Sequence, residues 1–219
     1  MRKLLPLLLA LALAPLASAQ VTFTVTATAN ATADGYNVGQ SYSFIYSSTP
    51  AVTGNLTSSF SGTLNFWQED LLADTPVWTS VSGTGLHGSF TPRPANPYSY
   101  IQIDNTTGLT LYFGSDGDAT SLKTVDDLTD LGSVEVIVKG GNLPTFHYPG
   151  SEVSLTSYFL TPGYTGTFTG FSSGVVNAVP SDFTVNSLTI SAIPEPSTYA
   201  ALFGLAALGL VAWRRRRSA

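Results

Sequence analysis

The chain has 219 residues, of which 43% are hydrophobic and 11% are charged, and it contains no cysteine. This length suits one domain of ordinary size, and the lack of cysteine excludes disulfides, thiolate nucleophiles and cysteine metal cages. Residues 20–193 contain 3 basic and 13 acidic residues, a net charge of −10. Such a body cannot neutralise phosphates, so we expect no binding to nucleic acid.

The first 19 residues are predicted to be a secretory signal peptide. Arg2 and Lys3 form a positive start, residues 4–16 are apolar, and Ala17–Ala19 is a small-residue cleavage site. The apolar stretch is too short for a membrane anchor, and two prolines weaken it as a helix. We therefore expect export, with cleavage after Ala19.

The body, residues 20–193, is predicted to be an all-β domain. Val21–Ala29 alternates apolar residues with threonine, which is typical of a half-buried strand, and Tyr42, Phe44 and Tyr46 alternate with smaller residues in a second strand. About ten short strands separated by glycine and proline turns predict a single antiparallel β-sandwich or jelly roll. Further strands are predicted at 56–67, 77–81, 86–91, 98–104, 109–113, 133–139, 152–160, 164–171 and 183–193, with a short helix or turn at 121–131.

The last segment combines a proline motif at 194–198, an apolar run at 199–213 and a basic cluster at 214–217. The prolines of the motif hold the backbone extended, because proline fixes φ and lacks an N–H. The apolar run at 199–213 is predicted to be a membrane helix of about 22 Å, at ~1.5 Å per residue. The basic cluster stops the span and, by the positive-inside rule, stays in the cytoplasm while the body lies outside. The motif is Pro194, Glu195, Pro196, Ser197 and Thr198, and the cluster is Arg214, Arg215, Arg216 and Arg217.

These three parts, in this order at residues 194–219, resemble the PEP-CTERM sorting signal of exported proteins from Gram-negative bacteria that make extracellular polysaccharide. The resemblance implies a partner, a membrane-embedded exosortase, which is a cysteine protease or transpeptidase. It implies cutting near the Pro-Glu-Pro motif, with release or attachment of the body. It further implies an inner-membrane intermediate and a final location at the cell surface or outside the cell. The resemblance does not extend to residues 20–193.

Nothing in the body predicts an enzyme. Residues 85–89 place His87 where the serine of a Gly-x-Ser-x-Gly nucleophile elbow should stand. His147, between two aromatic residues, is expected to pack in a loop. A glycosidase needs two carboxylates across a cleft, a separation that sequence spacing does not show. The glutamates considered for that role are Glu69, Glu135 and Glu152.

Five aspartates within fifteen residues raise the alternative of a calcium site. Calcium takes about six to eight oxygen ligands, which the loops of a sandwich can supply. The run lacks the residue order of an EF-hand, however, and aspartates commonly form turns and helix caps. We therefore predict no cofactor and keep calcium as an alternative. Its candidate ligands are Asp116, Asp118, Asp126 and Asp127.

Two tyrosines are candidates for contact with carbohydrate. Tyr98 and Tyr100 share the face of a strand opposite to two isoleucines, so isoleucines in the core would leave the tyrosines in solvent. A tyrosine ring in solvent can stack on a sugar ring. Trp67 and Trp78 could extend such a surface, but we predict that both belong to the core.

The predicted function is that of a non-catalytic, exported surface or matrix protein. It would be sorted through its tail and associate with extracellular polysaccharide. Two alternatives stay open: a secreted hydrolase that acts on glycans, and a membrane-anchored adhesin whose tail is never cut.

Overall fold

The computed structural model describes residues 20–33, 35–48, 53–56, 64–67, 77–87, 99–104, 108–114, 133–147, 153–178 and 181–193, together with residues 204 and 207. The chain divides into two compact units, Gln20–Ala192 and a second unit of Met1–Ala19 with Ile193–Ala219. The predicted signal peptide and the predicted short helix at 121–131 lie outside the described residues, as does most of the strand predicted at 86–91.

The described part of the body is built of β-strands with one short helix, and its strand registers are antiparallel. This confirms the predicted all-β antiparallel class. The strands are β1 Gln20–Ala29, β2 Ser41–Ser48, β3 Thr53–Leu56, β4 Leu64–Trp67, β5 Trp78–Ser82, β6 Tyr100–Asp104, β7 Gly108–Gly114, β8 Ser133–Lys139, β9 Val153–Ser154, β10 Gly166–Thr169, β11 Ser173–Ala178 and β12 Ser181–Ile193. The helix, α1, is Leu155–Phe159.

Hydrogen bonds join the strands into one continuous sheet. Its order is β5-β2-β1-β12-β11-β8-β7-β6-β4-β3-β9, and β10 also pairs with β12. The two separate sheets of the predicted sandwich are therefore not confirmed among the described strands. What the pairing shows is one long antiparallel sheet, in which neighbours in space are often distant in the chain.

The sheet curls on itself, as two hydrogen bonds between distant strands show. The indole Nε1 of Trp78 in β5 donates to the carbonyl of Tyr112 in β7, at 2.8 Å. The hydroxyl of Tyr46 in β2 donates to the carbonyl of Val134 in β8, at 2.9 Å. Because β5 and β7 stand six places apart in the sheet order, a flat sheet could not bring them together. Trp78 is fully buried, which confirms its predicted place in the core.

The core follows the two-residue period of the strands. In β1 the odd-numbered residues from Val21 to Ala29 are buried and the intervening residues are half-buried. The same alternation buries every second residue of β6 and β8. The inner surface of the curled sheet is therefore apolar and aromatic, whereas its outer surface carries mostly hydroxyl and amide side chains.

The last strand of the body is an interior strand of the sheet. In sheet order β12 stands between β1 and β11. The Asn186 amide donates to the Thr28 hydroxyl at 2.7 Å, and the Thr184 hydroxyl donates to Asn30 at 2.9 Å, so β12 runs antiparallel to β1. Since an interior strand forms hydrogen bonds on both of its sides, β1 and β11 join into one sheet only when the end of the body is present.

The prediction of a strand over residues 152–160 was wrong. The strand β9 has only two residues there, and α1 follows. The hydroxyl of Ser154 caps α1 by accepting a hydrogen bond from the Ser157 amide at 3.2 Å. Leu155, Tyr158 and Phe159 are buried, at the i, i+3, i+4 spacing of a helix face. The sequence contains both the serine cap and this spacing, but its aromatic and β-branched residues favoured the prediction of a strand.

One other strand prediction was wrong, and one strand was not predicted. Residues 56–67 were predicted as one strand, but its two ends belong to different strands: Leu56 ends β3, and residues 64–67 are β4, which pairs antiparallel with β3. The strand β11 was not predicted, since Ser173–Ala178 contains a glycine and shows no clear alternation.

Directly after β8, Gly140 and Gly141 have φ of 69° and 66°, in the left-handed region that favours glycine. A Cβ at Gly141 would also collide with the carbonyl of Gly170, so this turn needs glycine there.

Candidate functional site

The sorting segment begins where the described body ends. The strand β12 ends at Ile193, and the predicted motif starts with the next residue. The motif Pro194–Thr198 and the cluster Arg214–Arg217 lie outside the described residues, as does nearly all of the predicted helix at 199–213. Gly204 and Ala207, the two described residues of that run, are helical. None of the helices in the described part of the chain is long and apolar enough to cross a membrane.

On the body, four side chains form a line across the outer surface of the sheet, which we call the outer row. Tyr100 of β6, Tyr112 of β7, Glu135 of β8 and Asn177 of β11 are successive partners in the antiparallel registers. All four are half-buried, while the residues beside them in β6, β7 and β8 point into the core. Four strands at about 4.8 Å spacing make this row roughly 14 Å long.

Two tyrosines form the aromatic end of the outer row. The rings of Tyr100 and Tyr112 are stacked, with centroids 4.9 Å apart and planes 11° from parallel. Ile101 and Ile103 are buried on the opposite side of β6, as predicted, and this leaves Tyr100 on the outer surface. Tyr98 lies outside the described residues. Trp67 is the backbone partner of Tyr100 in β4.

A carboxylate and an amide form the polar end of the outer row. The Asn177 Nδ2 donates to Glu135 Oε2 at 3.2 Å, so each side chain orients the other. On the same surface, Gln102 pairs with Thr110 and Thr110 pairs with Ile137. The outer row therefore offers an aromatic surface and hydrogen-bonding groups side by side.

Among the described residues, the cation on this surface, Lys139, is paired with a carboxylate. Lys139 Nζ lies 3.5 Å from Asp104 Oδ2, and both side chains are partly exposed. A pair of this kind contributes little to stability, but it neutralises the lysine. Glu135 and the acidic balance of the body therefore dominate the charge that a ligand would meet at the outer row.

The hydroxyls of two buried tyrosines form hydrogen bonds with the backbone of His147. The hydroxyl of Tyr158 donates to the carbonyl of His147 at 3.1 Å, and that of Tyr164 accepts from the His147 amide at 2.6 Å.

The pKa values of three tyrosines are raised. Burial, and then the nearby Tyr164, raises the pKa of Tyr158, while burial and then the charge of Glu135 raise the pKa of Tyr46. Partial burial, followed by Glu135, also raises the pKa of Tyr100. These tyrosines stay protonated in the folded protein when free tyrosine ionises.

We expect the protein to lose stability as the pH rises above 10.0, the ordinary pKa of tyrosine. A raised pKa in the folded state means that full stability is present below the unfolded pKa and is lost as pH rises towards the folded value. Each such buried tyrosine lowers the free energy of unfolding by up to about 1.4 kcal/mol per pH unit. Urea unfolding between about pH 8 and about pH 11 measures this slope.

The variant Tyr46→Phe is the matched control for this pH dependence. It removes one of the ionising groups and the 2.9 Å hydrogen bond to Val134, so it should be less stable at neutral pH but lose stability less steeply above pH 10.0. A wild-type midpoint that stays constant across the range would contradict the prediction. So would a Tyr46→Phe variant that declines as steeply as the wild type.

The structure tests few of the candidate catalytic and metal-binding residues. Glu135 is described, and its partner is Asn177 rather than a second carboxylate. The side chains of His87 and His147 are exposed, so His147 lies in a loop as expected but the prediction that it packs there was wrong. Asp116, Asp118, Asp126 and Asp127 lie outside the described residues, as do Glu69 and Glu152. Among the residues that are described, no three acidic or histidine side chains come together as a metal site.

Tyr100 was predicted from the sequence as a candidate residue, but its stacking partner Tyr112 was not. The outward direction of Tyr112 was predictable from the sequence, because apolar Leu109, Leu111 and Phe113 alternate with it. All three are buried in the structure. The pairing of the two tyrosines depends on the register of β6 with β7, which a single sequence does not specify.

The comparisons with known proteins concern the tail. Residues 192–217 match the family model described as the PEP-CTERM protein-sorting motif, which confirms the resemblance of this segment. The match covers the motif, the apolar run and the arginines. No curated protein and no solved structure shows a significant match to the chain. The sorting motif implies an exported protein that is processed by an exosortase on its way through the cell envelope.

Proposed function

We propose that this PEP-CTERM protein is exported by a cleaved leader, residues 1–19, and held in the inner membrane by residues 199–213. Arg214–Arg217 then remain in the cytoplasm, and an exosortase acts at Pro194–Thr198 from the other side. The body, residues 20–193, is left at the cell surface or in the extracellular matrix. The match of residues 192–217 to the sorting motif carries this proposal.

The position of the motif directly after the last strand supports cutting between the body and the tail. Because β12 ends at Ile193, the described body ends immediately before the proline motif. Two prolines disfavour a helix and an interior strand in that segment, so we expect it to be an extended peptide. Extended peptides are the form that protease clefts bind by strand-like pairing.

For the body we propose a non-catalytic role in association with extracellular polysaccharide. The facing halves of its curled sheet would act as the two layers of a sandwich, with the outer surface as the contact surface. Supporting observations are the aromatic and amide side chains of the outer row, and the pairing of Glu135 with an amide rather than with a second carboxylate. A net charge of −10 also keeps such a domain soluble outside the cell.

The test is the intact mass of the mature protein. Protein recovered from the cell surface and from the medium should begin at Gln20 and end within residues 194–198. The same protein from a strain that lacks the exosortase should keep Trp213 and the arginines and stay in the membrane. A stable surface pool that retains the whole tail in the normal strain would overturn the proposal. That outcome would favour the membrane-anchored adhesin.

A further inference from the structure

We propose that the outer row is a binding site for a neutral sugar chain, and that Tyr112 and Glu135 are its central residues. The site would bind a short oligosaccharide segment lying across β6, β7, β8 and β11. This inference rests on the proposed function, which brings the body into contact with extracellular polysaccharide. It adds a specific site and a chemical class of ligand.

The tyrosine pair supplies an apolar contact surface with polar tips. At 4.9 Å and 11°, each ring covers one face of the other and holds it in place. Tyr112 stands between Tyr100 and Glu135 in the registers, so a ligand reaches the pair from outside the sheet, at the outer edges and hydroxyl tips of the two rings. A sugar ring presents an apolar face of C–H groups and a rim of hydroxyls. A rigid, half-buried tyrosine matches both parts, because its ring is apolar and its tip is polar.

Glu135 and Asn177 supply the hydrogen bonds that a sugar rim requires. The carboxylate has about four lone-pair positions, and its bond from Asn177 uses one of them. The remaining positions can accept from sugar hydroxyls, and bonds to a charged acceptor are the stronger kind. Asn177 has both donor and acceptor atoms and can bond to the same sugar. Because the two side chains already orient each other, little further ordering is needed on binding.

Charge disfavours acidic sugars as the ligand. Glu135 stands in the middle of the outer row, and Lys139, the cation that the described residues place on this surface, is engaged by Asp104 at 3.5 Å. A chain of uronates would bring further carboxylates next to Glu135, within a body of net charge −10. Like charges placed so close repel each other, so an acidic polysaccharide is disfavoured. The same repulsion disfavours a second copy of this chain as the occupant.

The experiment measures binding of the full chain, purified in a detergent without a sugar head group, to immobilised hexasaccharides. The probes are neutral hexasaccharides of glucose, mannose and galactose, with a hexasaccharide of galacturonate as the acidic comparison. We expect binding to at least one neutral probe and none to the galacturonate. Binding to no neutral probe, or stronger binding to galacturonate, would overturn the inference.

Three variants identify the site. Tyr112→Ala removes the central apolar contact and should weaken neutral binding by about tenfold or more. Tyr112→Phe keeps the ring and should stay within about threefold of the wild type. Glu135→Gln keeps the shape but loses the charge, so binding should fall several-fold without any gain for galacturonate. Wild-type affinity in both Tyr112→Ala and Glu135→Gln would place the binding elsewhere and reject the outer row.

Two controls separate loss of a site from loss of the fold and from self-association. Thr167→Ala changes an exposed hydroxyl on β10, away from the outer row, and should bind as the wild type does. If Tyr112→Ala proves unstable to urea, Glu135→Gln alone decides the outcome. Sedimentation that shows a dimer dispersed by Tyr112→Ala, without neutral sugar binding, would assign the row to a second copy instead. A negative binding result leaves the mass measurement of the processed tail unaffected, so the two proposals fail separately.

Discussion

A chain in which Pro194 and Pro196 are both replaced by alanine should accumulate with its tail uncut. Each proline disfavours helix by about 3 kcal/mol relative to alanine, so the double change allows the predicted membrane helix to continue through the motif. A peptide bond inside a helix cannot enter an extended cleft. We expect the fraction of cut protein at the surface to fall by more than about tenfold. Intact mass and an immunoblot of membrane and medium fractions measure this fraction.

The matched control for the proline prediction is Pro162→Ala. Pro162 is an exposed turn residue of the body between α1 and β10, so the change removes a proline without touching the motif. This variant should be cut as the wild type is. Normal cutting of the Pro194 and Pro196 double variant would show that the extended backbone is not what the exosortase requires.

The second large effect is expected in the core of the sheet, for Phe183→Ala. Phe183 lies in β12 and is fully buried. Its ring packs edge to face against Tyr36 at 4.9 Å, Phe44 at 5.2 Å and Tyr42 at 5.9 Å, measured between ring centroids. Removing it loses these contacts and leaves a cavity. We expect the free energy of unfolding to fall by about 3–5 kcal/mol, a large part of the roughly 5–15 kcal/mol of a typical domain.

Urea unfolding of the two proteins measures this loss, and Thr184→Ala is the matched control. Thr184 is the next residue of the same strand, but its side chain is exposed and makes one hydrogen bond, to Asn30 at 2.9 Å. Its replacement should cost about 1 kcal/mol or less. A Phe183→Ala variant that is destabilised no more than Thr184→Ala would refute the central role of β12 in the core.

Several strands were predicted almost residue for residue, for a common physical reason. The strand predicted at 133–139 is Ser133–Lys139 in the structure, and that at 21–29 is Gln20–Ala29. In both, every second residue is apolar and buried, so the two-residue period of a strand is visible without knowledge of its neighbours. The prediction failed for α1, where aromatic residues at helical spacing were interpreted as strand residues.

The outer row shows how far a prediction of the site could go. The outward direction of Tyr100 was predicted on the condition that Ile101 and Ile103 face the core, and both isoleucines are buried. That Tyr100 stacks on Tyr112, and that Glu135 meets Asn177, depends on pairings across four strands. One of these, β11, was not predicted at all. A residue's face is a local property, whereas its neighbours depend on strand order and register.

The sequence by itself determined the sorting tail and the β-rich class of the body. Both are local: the tail is a contiguous run of prolines, apolar residues and arginines, and a strand is recognised by its own alternation. Only the tertiary structure decided that β12 lies inside the sheet between β1 and β11, and that Tyr112 and Glu135 stand side by side. Those arrangements come from hydrogen bonds and core contacts between residues far apart in the chain, such as Thr28 with Asn186.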